Sequence, residues 1–142
     1  MIRRQPKAWE SSLTAALQQL LARPPLRFSQ MTPSSSSLPE AAGVYLITKI
    51  EGNTEISCYV GRTKNIRQRL YNNHLMGPLA SAPLKKYLID NKICSTVEEA
   101  KNFLLENCAA RWLKKDDYRV RGAIEGYCTA MLFPKYGIAE EH

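Results

Sequence analysis

The chain has 142 residues, 44% of them hydrophobic, and sets 20 lysines and arginines against 13 acids for a formal net charge of +7. That length leaves room for one domain and an appendage, and its periodic apolar segments exclude a purely disordered tail. No apolar run reaches the roughly 18 to 20 residues of a membrane-spanning helix, and no secretory signal follows the basic residues 1–7, so a soluble, cytoplasmic protein without membrane contact is expected. Cys58, Cys94, Cys108 and Cys128 lack the close spacing of a structural zinc site and read as reduced, mostly buried thiols.

In chain order, Trp9, Leu13, Ala16, Leu17, Leu20 and Leu21 recur at helical spacing over residues 7–22, so an amphipathic helix opens the chain. Pro24 and Pro25 stop it. A serine- and proline-rich stretch, residues 31–39, has no periodicity and reads as a linker or a surface-hugging arm. Residues 43–50 (GVYLITKI) and 55–60 (EISCYV) are β-branched and aromatic runs flanking a glycine-containing turn, the pattern of a β-hairpin. A helix over 63–73 follows, with Ile66 and Leu70 inward, then a short helix over 83–90. Thr96 and Glu99 form a capping box for a helix reaching about residue 105. Residues 108–114 (CAARWLKK begins here) supply one more strand, and 116–132 a helix ended by Pro134. The expectation is an α+β fold, a small three-stranded antiparallel sheet flanked by helices, with residues 1–38 as N-terminal helix and linker and 39–142 as the main domain.

Between residues 59 and 92 stand seven basic side chains (Arg62, Lys64, Arg67, Arg69, Lys85, Lys86 and Lys92) against one acid, Asp90. Six of the seven net positive charges therefore lie beside Tyr45 and Tyr59, which the hairpin brings together. Clustered cations next to paired aromatic side chains suit phosphate contacts, because each neutralised phosphate releases a counterion.

The residues Gly43-Val44-Tyr45, then Tyr59-Val60-Gly61 with its tyrosine fourteen residues after the first, then Arg69 ten residues later, resemble the GIY-YIG nuclease family. Glu125 occupies the place of the family's metal-binding glutamate, and Pro134-Lys135-Tyr136 its closing segment. The resemblance implies a DNA endonuclease dependent on Mg²⁺ or Mn²⁺, hydrolysing a phosphodiester by in-line attack of water. It implies Glu125 as metal ligand, Arg69 as clamp on the scissile phosphate, and Tyr45 and Tyr59 bordering the water, one of them as general base. An unperturbed phenol titrates near 10, so that base role requires positive charge nearby to lower it. Arg62, Lys64, Arg67, Lys85 and Lys86 are the candidate DNA contacts.

The chain departs from the family pattern twice. Asn73 stands four residues after Arg69, where the family carries histidine or tyrosine, and His74 lies one further, rotated by about 100° on an ideal helix. His74 would join the catalytic set if the helix frayed at Asn72 and Asn73. Gly137 replaces an asparagine that follows the closing proline segment in many members. Other readings follow: a catalytically impaired nucleic-acid-binding module of the same fold, a nuclease subunit whose specificity comes from a homodimer or a partner protein, or an interaction module whose N-terminal helix docks on a partner. Packing of that helix back on its own domain is the expectation.

Overall fold

A computed structural model describes residues 1–34, 37–138 and 141, so Ser35 and Ser36 of the serine-rich stretch lie outside the described residues. Its elements are α1 (Lys7–Ala22), β1 (Leu26–Arg27), β2 (Gly43–Glu51), β3 (Thr54–Thr63), α2 (Pro83–Asp90), α3 (Val97–Asn107), β4 (Cys108–Lys114) and α4 (Tyr118–Leu132). A π-helix, Gln68–Leu75, stands between β3 and α2.

Strand β2 is the axis of the sheet. Its first six residues, Gly43 to Thr48, are all buried. A strand with no polar alternation must be covered on both faces, and this one is. Tyr45 and Ile47 face a cluster with Ala110, Trp112, Phe28, Leu38, Ile66, Leu70 and Leu104. Val44 and Leu46 face the other way, with Val60 and Leu113, under Ala16 and Leu20 of α1 and Ile124 and Cys128 of α4. The α1 stripe expected from its helical spacing therefore packs on this domain's own sheet.

The hairpin forms as expected, with only Gly52 and Asn53 between β2 and β3. All pairings are antiparallel, in the order β1-β4-β2-β3, so the sheet has four strands where three were expected. The addition is β1, which pairs Leu26 with Ala110 and Arg27 with Ala109. Two residues after a proline pair carry no readable period, and only the groups on β4 select them as a strand. The rest of this segment is an arm packed into the core: Phe28 and Leu38 are fully buried, and Met31 nearly so. Pro39 and Ala41 offer their carbonyl oxygens to the N–H groups of Arg67 and Ile66 at 3.0 and 2.8 Å, satisfying the start of the next helix.

Charged side chains fasten the layers. Arg111 on β4 pairs with Glu55 on β3 and donates to the carbonyl oxygens of Leu21 (2.7 Å) and Arg23, closing the end of α1. The capping box forms: Thr96 Oγ1 accepts from Glu99 N at 3.1 Å, while Glu99 reaches back to Ser95 N at 2.7 Å. Asp117 caps α4 by accepting from the N–H groups of Arg119 and Val120. Beyond α4, Lys135 N and Tyr136 N donate to Ser57 O and Cys58 O, pairing part of the outer edge of β3. Among the described residues no helix is long and apolar enough to cross a membrane.

Leu20 has no exposed surface and joins α1 to the sheet. Leu20→Ala should lower the unfolding free energy by about 2–5 kcal/mol in urea denaturation, the usual loss for a truncated core leucine. A change below 0.5 kcal/mol, on the scale of a surface substitution, would mean that α1 is not part of the core.

Candidate active site

Tyr45 and Tyr59 occupy the same face of the sheet as diagonal rather than directly opposed neighbours. Tyr45 pairs with Gly61, and Tyr59 with Ile47. Their rings stack with centroids 6.2 Å apart and planes 17° from parallel. Gly61 is needed for this: a Cβ there would lie 2.4 Å from the Tyr45 hydroxyl and 2.5 Å from its ring carbon. The absent side chain makes room for the Tyr45 ring within the sheet, and the helix begins only after β3 ends at Thr63.

His74 joins this pair through helix geometry. On an α-helix five residues turn about 500°, which would leave His74 about 140° round from Arg69. The segment instead winds as a π-helix from Gln68 to Leu75, with Met76 N bonded to Tyr71 O five residues back at 3.0 Å. Each turn takes in one more residue, and the histidine one position late in sequence reaches the site. The helix does not fray at Asn72 and Asn73. His74 is fully buried, its Nε2 lies 2.9 Å from Tyr45 Oη, and its ring meets both tyrosines edge-on at 5.5 and 5.1 Å.

Arg69 completes the cluster. Its Nε donates to Tyr45 Oη at 3.2 Å and its Nη1 to Ser81 O at 3.2 Å, and the guanidinium's charge also acts on Tyr59. Because guanidinium only donates, Tyr45 Oη accepts from it, and the same hydroxyl shares a second hydrogen bond with His74 Nε2 whose direction is set by the histidine tautomer. His74 Nδ1 is buried with no hydrogen-bond partner among the described residues. Burial, then Arg69 and Lys85, push the His74 imidazole down to about 3, so it is neutral at physiological pH. Burial also raises both phenols above their ordinary range, and Arg69 only partly opposes it. Among the protein's own groups desolvation outweighs the guanidinium, and both tyrosines are protonated.

Glu125 projects from α4 into the same electrostatic neighbourhood, acting on both tyrosines. Its side chain is 29% exposed, and its nearest cation, Arg62 Nε, lies 3.8 Å away. Desolvation raises its carboxyl above the usual range, with Arg62 pulling it back. A carboxylate that is partly desolvated and only loosely paired has oxygen atoms to offer a cation. No cluster of three or more His, Cys, Asp or Glu side chains able to hold a metal occurs among the described residues. A lone carboxylate of this kind is compatible with a hard divalent ion that keeps most of its waters.

The candidate phosphate contacts divide. Lys64 is exposed, and Arg62 lies beside Glu125. Arg67 is used inside the fold: it donates to Leu38 O at 3.1 Å and pairs with Glu40 at 3.2 Å, clamping the arm. Lys85, 2% exposed, is buried and donates to Leu75 O and Gly77 O at 2.5 and 3.0 Å, capping the carbonyl end of the π-helix. Lys85 is thus buried away from any DNA, and Arg67 is engaged with the arm. Lys86 is exposed but paired with Asp90 at 2.7 Å. Gly137, at φ +93°, lies against Tyr59, where a Cβ would come within 2.9 Å of the ring. The glycine in the asparagine's place is thus one that lets the closing segment lie flat on the second tyrosine.

The pattern that defines the GIY-YIG catalytic domain matches residues 41–115, from the turn before β2 to the end of β4. This chain belongs to the GIY-YIG catalytic-domain family. Membership indicates a nuclease-type function with a nucleic-acid substrate in general terms. Glu125 and α4 lie beyond the matched residues, so the carboxylate's place in the cluster comes from the fold. Neither the curated proteins nor the solved structures compared with this chain give a match.

Two measurements probe this arrangement. The native His74 takes up its proton near pH 3, whereas the unfolded histidine does so near 6.5. Between those values the unfolded state binds the extra proton, so stability falls as pH drops below about 6.5. His74→Gln should flatten this part of the acid-denaturation profile, and a slope identical to wild type would show that the imidazole is not held neutral. Gly61→Ala should cost about 1–3 kcal/mol by overpacking and alter the near-ultraviolet dichroism of the stacked tyrosines. An unchanged spectrum and stability would remove Gly61 from that role.

Proposed function

We propose that this chain is a divalent-metal-dependent endonuclease that hydrolyses phosphodiester bonds of DNA, with Tyr45, Tyr59, Arg69, His74 and Glu125 as its catalytic set. The observation that carries the reading is the hydrogen-bonded chain from Arg69 through the Tyr45 hydroxyl to neutral His74, with Glu125 acting on the same phenols. A fold kept only for binding has no need of a buried, neutral histidine bonded to a tyrosine hydroxyl.

The chain's own groups divide the work. Arg69 presents its guanidinium beside the tyrosines and binds the scissile phosphate, stabilising charge that grows on its oxygens in the transition state. Tyr45 and Tyr59 orient the attacking water. When Arg69 turns to a phosphate, the Tyr45 oxygen loses a donor and gains acceptor capacity toward that water, while its bond to His74 Nε2 remains. His74 is a weak base, so its part is to fix the phenol's orientation. Glu125 would hold the ion, Mg²⁺ or Mn²⁺, with water and a phosphate oxygen as its remaining ligands. When bound, that ion supplies Lewis-acid stabilisation of the phosphate and of the departing oxygen.

The second reading, a binding module with impaired catalysis, draws on the raised phenols, since no protein group in the cluster is a strong base at neutral pH. Plasmid, linear duplex, single-stranded and branched DNA incubated with and without Mg²⁺ or Mn²⁺ separate the two. Wild type should cut only with metal. Glu125→Ala and Arg69→Ala should each lose about 10²-fold or more, as when a transition-state contact is removed. His74→Ala should lower the rate by freeing the Tyr45 hydroxyl, and an unchanged rate would remove His74 from the site. Binding without cutting by wild type favours the second reading, and equal cutting by Glu125→Ala assigns the activity to a contaminant.

A further inference from the structure

Four exposed cations outside the catalytic cluster gather at one end of the sheet. Strands β3, β2 and β4 end there in register, with Gly43 paired to Thr63 on one side and Lys114 on the other. Lys64 follows Thr63, and Lys115 and Arg119 follow Lys114; all are exposed. Among the described residues none of the four has a salt bridge, in contrast to Arg67 and Lys86. From β3 to β4 the row spans roughly 10 Å, two inter-strand spacings, comparable to about three nucleotide steps along a strand at 3.4 Å each.

The segment is held in place. Lys115 N donates to Ala42 O at 2.9 Å, and the buried Arg121 donates to Lys115 O and Asp116 O at 3.2 and 2.9 Å. Of its two acids, Asp117 is engaged with the backbone of α4, which holds its carboxyl below the usual range. Both acids keep their charge, so the four cations against Asp116 and Asp117 leave the local charge at about +2, on a fixed backbone. Arg62, the residue before Thr63, connects the row to Glu125 and so to the catalytic cluster.

We infer that Lys64, Lys114, Lys115 and Arg119 form a phosphate track, along which duplex DNA on one side of the scissile bond lies across the end of the sheet. The inference deepens the nuclease reading and rests on it for the direction in which the substrate leaves the site. Duplex is favoured over single strand by composition: single-strand grooves use successive exposed aromatics for stacking, and this patch offers one, Tyr118. Cations on flexible stems without a stacking row make backbone contacts that position a duplex.

The test is the salt dependence of binding to a fluorescent 30-bp duplex, in a Glu125→Ala background so that the DNA stays intact. Lys114→Ala/Lys115→Ala should lower the slope of log K against log salt by about 1.8, at 0.9 per phosphate contact, and weaken binding about tenfold or more at 0.15 M salt. Arg119→Ala should lower the slope by about 0.9. Lys92→Ala/Lys101→Ala, which removes the same charge elsewhere, should leave the slope unchanged. The inference is overturned if the Lys114/Lys115 pair leaves slope and affinity intact, if the Lys92/Lys101 pair loses as much, if the parent shows no salt-dependent duplex binding, or if the loss appears with single-stranded DNA and not with duplex. Cleavage is scored separately in the Glu125 protein: a track without cleavage sinks the nuclease reading alone, and cleavage without a track sinks this inference alone.

Discussion

The hydrogen bond between Tyr45 and His74 is the contact on which the site depends, and several parts of the fold exist in the form they do because of it. A polar pair buried at this depth must be satisfied, since an unmade bond there would cost about 1–3 kcal/mol. Meeting that requirement takes an absent side chain at Gly61, a widened helical turn before Leu75, and a positive charge from Lys85 on the carbonyl groups that the turn leaves at its end. Arg69 then closes the arrangement by donating to the phenol from the same helix.

Electrostatics in this cluster are ruled by burial more than by neighbouring charge. The guanidinium of Arg69 acts on both phenols, yet desolvation still keeps their protons on. The same desolvation keeps His74 neutral and raises Glu125. The resting site is thus a set of protonated phenols and a neutral imidazole around one loosely paired carboxylate.

Most of the architecture was legible because its signals are local. The β-branched and aromatic runs of residues 43–50 and 55–60 announce the hairpin, the Thr96–Glu99 box marks a helix start, and Pro134 follows the end of α4. Strand β1 was not legible, since two residues carry no period and their conformation is chosen by free groups on β4. The charge count was legible as a sum but misleading as a surface: Arg67 and Lys85 look like DNA contacts in a list of cations, whereas the fold spends them on backbone carbonyls. Lys114, Lys115 and Arg119 drew no attention because they stand beside two aspartates in sequence, one of which proves to be a helix cap.

The sequence by itself determined the family and the hairpin and nominated Tyr45, Tyr59, Arg69 and Glu125 as candidates, because these rest on spacing and residue type. Only the tertiary structure decided whether His74 belongs with them. On an α-helix it would point away, and the choice of a wider turn is made by packing on Tyr45 and by Lys85 across the loop, neither of which is written in the local pattern. The protonation of the tyrosines was likewise decided in three dimensions, since it depends on how much protein covers each ring.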